Sequence, residues 1–172
     1  MKLIETKTLT GTQASIEFTS IPQDGTDLVI LTSLRDNGGS DIGQYISFNG
    51  STSNFSAIYL FGNPALGSPV QTGILARYIG SVASGNTANT FNSTSIYIPN
   101  YSGSRNKSYS VDNATENNAT SANMNIIGGT WSDTAAITSL ALTTITTSWV
   151  AGSTVSLYKI TKGSDGIVTT SP

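Results

Sequence analysis

The sequence of 172 residues contains no cysteine and no histidine. Without cysteine there are no disulfides, no thiolate nucleophile and no cysteine-ligated zinc. Without histidine the chain lacks the commonest general base, the commonest metal ligand and the side chain that titrates closest to neutral pH. We therefore expect a protein that is not an enzyme, with no catalytic residues, no bound metal and no cofactor.

Charged side chains are scarce as well. Asp, Glu, Lys and Arg make up 10% of the chain, against about 25% in an average domain, and the formal net charge is −2. Binding to nucleic acid needs a dense basic face, whereas the eight basic residues here are scattered along the chain. We expect no nucleic-acid partner.

Long hydrophobic runs are also missing. The longest run of aliphatic side chains, residues 28–31, is far shorter than the ~20 residues that a membrane-spanning helix needs. The first seven residues lack the apolar stretch of a signal peptide. These features predict a protein that is made in the cytoplasm, is not exported and has no membrane partner.

Hydrophobic residues nevertheless make up 37% of the chain, and the remainder is rich in Ser, Thr, Asn and Gly. Threonine favours pleated strands, while Asn, Gly and Ser supply turns. Short segments rich in Ile, Val, Tyr, Phe and Thr recur every ~10 to 15 residues, and no helical periodicity is evident. The pattern predicts an all-β domain over residues 1–162, followed by a polar tail over residues 163–172.

The number of predicted strands, about eight to eleven, is enough for two packed sheets, so we expect a two-sheet β-sandwich that is jelly-roll-like. In residues 14–19, Ile16 and Phe18 alternate with outward Glu17. Residues 28–31 are apolar on both faces and predict a central strand covered on two sides. Asn49-Gly50 suits a tight primed turn, although the following Ser51-Thr52-Ser53-Asn54 indicates a longer loop. The other predicted strands are residues 2–9, 45–48, 57–61, 74–82, 94–98, 107–111, 124–127 (ending at Gly128-Gly129), 137–142 and 155–160.

Several of these segments, taken in order, resemble a family of tailed-bacteriophage virion proteins. The resemblance covers roughly residues 13 to 160. It rests on Ser15-Ile16-Glu17-Phe18-Thr19-Ser20-Ile21-Pro22, Thr26-Asp27-Leu28-Val29-Ile30, Ile46-Ser47-Phe48-Asn49-Gly50, Ser95-Ile96-Tyr97-Ile98-Pro99-Asn100-Tyr101, Asn106-Lys107-Ser108, Val111, Glu116-Asn117-Asn118-Ala119-Thr120, Ile137-Thr138-Ser139-Leu140 and Val155-Ser156-Leu157-Tyr158.

The resemblance implies a jelly-roll-like structural protein of the virion, used as a capsid decoration (cement) protein or on a tail fibre. Such modules are usually homotrimers. The implied partners are therefore further copies of the chain and the major capsid protein. The alternative function is recognition of host surface glycans by a tail-fibre or baseplate module.

Each of the two functions has its own candidate residues. For docking, the N-terminal strand would pair with a foreign sheet edge, and a small basic cluster would meet an acidic patch; these candidates are Lys2, Leu3, Ile4, Arg105 and Lys107. For glycan stacking the candidates are the aromatic residues Phe61, Tyr101, Trp131 and Trp149, although aromatic side chains more often fill cores or subunit interfaces.

The ten acidic residues offer two weaker hypotheses. Glycoside hydrolysis needs two carboxyl groups that flank one bond, and most acids here fall in predicted loops or on outward strand faces. Residues 36–41, Asp-Asn-Gly-Gly-Ser-Asp, offer oxygens to a calcium ion but do not match the helical calcium-loop pattern. Ordinary turn and surface chemistry explains both sets, so we expect neither site.

Overall fold

The computed structural model describes residues 1–38, 41–62, 71–83, 89–116 and 122–161. These ranges contain twelve strands and no helix, and therefore no helix that spans a membrane. The strands are β1 (Lys2–Thr8), β2 (Ser15–Phe18), β3 (Asp27–Leu34), β4 (Asp41–Phe48), β5 (Phe55–Gly62), β6 (Gln71–Ile74), β7 (Tyr78–Ala83), β8 (Asn92–Ile98), β9 (Lys107–Glu116), β10 (Ala122–Trp131), β11 (Leu140–Thr144) and β12 (Thr154–Ile160).

The strands form two antiparallel sheets. The large sheet has eight strands in the order β1-β12-β3-β8-β9-β10-β5-β6, and the small sheet has four in the order β2-β11-β4-β7. The predicted all-β, two-sheet β-sandwich is confirmed. The jelly-roll arrangement stays a prediction, and the predicted tail over residues 163–172 lies outside the described residues.

Alternation of apolar and polar residues puts one face of each sheet into the core. In β2, Ile16 and Phe18 are buried and Glu17 is exposed, as predicted. In β12, Val155 and Leu157 are buried while the residues between them are half-exposed. Full burial of an aliphatic or aromatic side chain contributes about 1.5 to 3 kcal/mol, so the filled space between the sheets is the main source of stability.

Several strand predictions differ from the structure, including the bounds of β9 (Lys107–Glu116) and β11 (Leu140–Thr144). Strand β3 is central in its sheet, but Leu31 is 40% exposed, so only one face of β3 is covered. Residues 74–82 are not one strand, because the chain breaks at Arg77 (φ 62°) and continues as β7 in the other sheet. Strand β10 does not end at Gly128-Gly129 but runs through both, to Trp131.

One of the two adjacent glycines within β10, Gly129, has a packing role. A Cβ on Gly129 would overlap the ring of Tyr109, which lies opposite it on β9. Gly128 points to the other face, where a Cβ would meet nothing within 4 Å. The sheet therefore needs glycine at residue 129 to make room for the Tyr109 ring.

The predicted Asn49-Gly50 turn is present. Both residues have positive φ, 51° and 72°, and the Ser51 amide donates to the Phe48 carbonyl at 2.8 Å. The strands on either side of the turn, β4 and β5, belong to different sheets. The turn thus starts a crossover between the layers instead of closing a hairpin.

Candidate functional site

The N-terminal candidates lie on an edge of the large sheet. Strand β1 pairs with β12 on one side and, within the described chain, is the last strand of its sheet. Lys2 and Leu3 are exposed and Ile4 is half-buried. A row of β1 backbone N–H and C=O groups therefore faces away from the sheet, which is the geometry that strand addition requires.

The basic pair is divided between surface and core. Arg105 is exposed, whereas Lys107 is 0% exposed. Lys107 Nζ donates to the Gly103 carbonyl at 2.8 Å and to the Arg105 carbonyl, and burial lowers the pKa of its amine. The prediction that Lys107 docks an acidic patch is wrong, because its side chain lies on the inner face of β9 and its charge is held by backbone carbonyls.

Three of the four aromatic candidates fill the core. Trp131 is 1% exposed and packs against Phe48 and Phe55, with ring centroids 5.5 and 6.0 Å away. Trp149 is 0% exposed, and its indole N–H donates to the Leu142 carbonyl at 3.0 Å. These rings offer no free face, so the prediction that they stack on a glycan is wrong, and burial in the core is the correct alternative.

Tyr101 is the third buried candidate, at 0% exposure. Its hydroxyl donates to the Pro22 carbonyl and accepts from the Gly25 amide at 3.3 Å. Burial raises the pKa of this phenol. Tyr101 therefore ties the loop before β3 to the loop after β8 and is unavailable for stacking.

Phe61, the fourth candidate, is half-buried in an open groove of about 280 Å³. We call this site the aromatic groove; its described lining residues are Gly43, Tyr45, Tyr59, Phe61, Leu75, Tyr78, Ser81 and Asn125. The groove lies at the edge where the small sheet no longer covers the large sheet. Strand β7, the last of the small sheet, packs over β9 and β10, so Tyr59 and Phe61 on the inner face of β5 lie at its edge, whereas Ala57 on the same face is buried.

The rings of the aromatic groove contact one another. The Tyr78 ring lies 5.3 Å from that of Tyr59 and 6.1 Å from that of Tyr45, tilted by 58° and 62°. The Arg77 guanidinium lies 5.6 Å from the centre of the Tyr45 ring. Burial raises the pKa of Tyr45, so its phenol is neutral at physiological pH.

A row of three buried polar side chains leads from the core to the floor of the groove. It consists of Thr94 on β8, Asn113 on β9 and Asn125 on β10, and the next residue across the sheet is Phe61 on β5. Asn113 donates to the Thr94 hydroxyl at 2.8 Å, and Asn125 donates to Asn113 Oδ1 at 3.0 Å. The Tyr78 hydroxyl donates to Asn125 Oδ1 at 3.4 Å.

Sequence reasoning missed Tyr45, Tyr59, Tyr78 and Asn125 as site residues. One signal was present, because Tyr59 and Phe61 are two residues apart on a predicted strand and so share a face. The alternation of residues does not show whether that face is covered by the other sheet, because this depends on where β7 packs.

The acidic loop is held by its own hydrogen bonds. Asp36 is 1% exposed, accepts from the Thr147 hydroxyl at 2.7 Å and accepts from the Gly38 amide at 3.4 Å. Residues 39 and 40 and the side chain of Asp41 lie outside the described structure. Among the described residues there is no group of three or more side chains that fits a metal.

A second surface feature lies on the opposite face of the large sheet. Ile58, Leu60, Met124 and Ile126 are 57%, 46%, 50% and 46% exposed. Leu60 lies directly opposite Ile126, so the four side chains form one patch across β5 and β10. We call this patch the outer apolar face.

Comparison with known proteins identifies no relative: no family model, no curated protein and no solved structure matches the chain.

Proposed function

We propose that this chain is a non-enzymatic capsid decoration (cement) protein of a tailed phage. In this proposal it attaches to the assembled shell through strand β1 and to its own copies through the outer apolar face. The observation that carries the proposal is the outer apolar face. The resemblance of residues 13 to 160 to phage virion proteins is the reason for proposing a phage capsid as the assembly to which the chain attaches.

An exposed apolar patch of this kind needs a partner. Single exposed hydrophobic residues are ordinary, whereas contiguous ones on a regular surface mark an interaction site. Here Ile58, Leu60, Met124 and Ile126 stand on two paired strands, and Gly128 beside Ile58 adds no side chain that would keep a partner away.

The charge distribution favours a second copy of the same chain as that partner. Among the described side chains of β5, β9 and β10, Asp112 carries the one charge on this face, and it lies opposite Ile126. A nearly uncharged apolar surface meets an identical surface without the like-charge repulsion that separates most copies of a protein. In a trimer the three copies of this face converge on the threefold axis, so that each is buried.

Strand β1 supplies the proposed contact with the major capsid protein. An edge strand gains main-chain hydrogen bonds when it adds to a foreign sheet. A protein that binds the assembled shell and not the separate subunits stabilises the shell by mass action. Three such strands in one trimer raise the overall avidity, provided that all three reach their sites together.

The attachment is tested by removing β1. We expect the chain without residues 1–8, which lacks β1 but keeps the buried core residue Leu9, to remain folded and trimeric but to lose occupancy on capsids assembled from the major capsid protein of the same genome. Glu17→Ala is the control, since that exposed charge lies on β2 of the small sheet, outside β1 and outside the docking candidates, and should be dispensable. Undiminished occupancy of the shortened chain would refute the role of β1.

Self-association is tested at the outer apolar face. We expect Ile58→Lys to convert the trimer to a monomer in sedimentation velocity, because it places like charges together in a buried interface, and residue 58 pairs with Gly128 and not with the acidic Asp112. Leu31→Lys is the control, since Leu31 is also an exposed apolar residue on the same sheet, on the distant strand β3. A monomeric wild-type protein, or a trimer unaffected by Ile58→Lys, would contradict the proposal.

The copy number per particle separates the two virion positions. Hundreds of copies, counted by quantitative mass spectrometry of purified particles, agree with a shell component. Tens of copies or fewer would instead assign the chain to a tail fibre or baseplate.

A further inference from the structure

Beyond the assembly role, we propose that the aromatic groove binds a neutral saccharide. In this proposal Tyr59 and Phe61 pack against a sugar ring, and Asn125 accepts a hydrogen bond from a sugar hydroxyl. The site differs from the outer apolar face, because Tyr59 and Phe61 point to the opposite side of β5 from Ile58 and Leu60.

The size and openness of the groove set the kind of ligand. Its volume of about 280 Å³ is at the lower limit of small-molecule sites, which run from roughly 300 to 1,000 Å³. A groove that is open along one side accommodates one ring of a longer chain, with the neighbouring units in solvent. A glycan segment meets that requirement.

The walls suit the faces of a sugar ring. Tyr45, Tyr59, Phe61 and Tyr78 bring four aromatic rings to one small groove. The face of an aromatic ring carries partial negative charge, which attracts the slightly positive C–H groups on the flat side of a pyranose. These contacts also remove apolar C–H surface from water.

The floor suits hydroxyl groups. Asn125 is 1% exposed, and its Nδ2 donates to Asn113 Oδ1 at 3.0 Å and to Ser81 Oγ at 3.4 Å. Both amide hydrogens are thereby used, which fixes the orientation of the side chain and leaves Oδ1 as its acceptor. An amide oxygen has two lone pairs, and the described Tyr78 bond of 3.4 Å is a long one.

The charge of the site excludes strongly ionic ligands. None of the described lining residues carries a charge. The nearest described cation, Arg77, already lies over the Tyr45 ring and directs its guanidinium to the Ile46 carbonyl at 3.5 Å. A neutral polyhydroxyl ring matches both the aromatic walls and the fixed acceptor, whereas a purely apolar ligand would offer no donor to the second lone pair of Asn125 Oδ1.

The proposal is tested with the methyl glycosides of glucose, galactose and N-acetylglucosamine, titrated into the full chain and followed by saturation-transfer NMR. We expect at least one glycoside to bind saturably, with Kd on the order of 1 mM. Phe61→Ala should weaken that binding at least ~10-fold, the loss of about 1.4 kcal/mol, since it removes one wall.

Leu31→Ala is the matched control, because Leu31 is an exposed leucine of the same sheet, on strand β3, outside both the groove and the outer apolar face, and the variant should leave binding unchanged. Tyr59→Leu serves as a second groove variant if Phe61→Ala fails to fold, as judged by circular dichroism. Three results would each overturn the proposal: no saturable binding of any neutral glycoside, equal loss in Leu31→Ala and the groove variant, or equal affinity for cyclohexanol or glucuronate.

Discussion

Asn125 lies opposite Asn113 on neighbouring strands, and its Nδ2 donates to Asn113 Oδ1 at 3.0 Å between two otherwise largely apolar sheets. Both side chains are 3% exposed or less. Buried amides are tolerated when their hydrogen bonds are made, and the partners here lie on neighbouring strands and on β7 of the facing sheet. The pair therefore ties the register of β9 and β10 to the position of Asn125 at the floor of the aromatic groove.

Removing Asn113 should be costly. Its side chain accepts from Asn125 and from the Ser81 amide and donates to Thr94, so Asn113→Ala removes one hydrogen bond from each of three buried groups. We expect a loss of about 2 to 3 kcal/mol in the free energy of unfolding, measured by urea denaturation. Asp112→Ala, on the exposed face beside it, should change stability by less than about 0.5 kcal/mol. Similar effects for both variants would show that the buried row contributes no particular stability.

The two adjacent glycines of β10 should respond in opposite ways to alanine. Gly129→Ala forces a methyl group into the space of the Tyr109 ring, and we expect a loss of about 3 kcal/mol or more in thermal unfolding, or failure to fold. Gly128→Ala meets open space and should leave stability unchanged or raise it by about 0.5 kcal/mol, because alanine restricts the unfolded chain. A mild effect of Gly129→Ala would mean that Tyr109 moves aside freely.

The ion pair between Asp24 and Lys159 should make stability depend on acid pH. The hydrogen bond from Lys159 lowers the pKa of Asp24 below its ordinary value of 3.8 in the folded protein. A carboxyl group with a lowered native pKa contributes stability above its unfolded pKa and loses it as the pH falls through the native value. We expect Asp24→Asn to be less stable than the wild type at neutral pH and equal to it in strong acid.

The measurement is denaturant unfolding of both proteins between neutral pH and strong acid. In a Lys159→Met background the pH-dependent difference caused by Asp24→Asn should largely vanish, because the partner is gone. A difference that persists at full size in that background would assign it to another interaction of Asp24.

Elements with a regular pattern were predictable. The alternation around Ile16 and Phe18 gave the correct inward face because the side-chain period of a strand is two. The Asn49-Gly50 turn was predictable for a similar local reason, since few residues accept positive φ.

Features that depend on how the two sheets pack were not predictable. The sequence around Lys107 predicts a surface charge, yet the residue lies on the covered face of β9, and its amine donates hydrogen bonds to the carbonyls of residues 103 and 105. Trp131 and Trp149 gave no local sign of burial, and the break between β6 and β7 separates residues that look like one strand.

By itself, the sequence determined the class of the molecule. A chain without cysteine or histidine, poor in charge and rich in threonine and turn residues, is committed to strands and turns by local conformational preference and by hydrophobic alternation. The tertiary structure alone decided which inner faces are covered. Two sheets of unequal width cannot cover each other completely, and that mismatch leaves Tyr59 and Phe61 in an open groove with Asn125 at its floor.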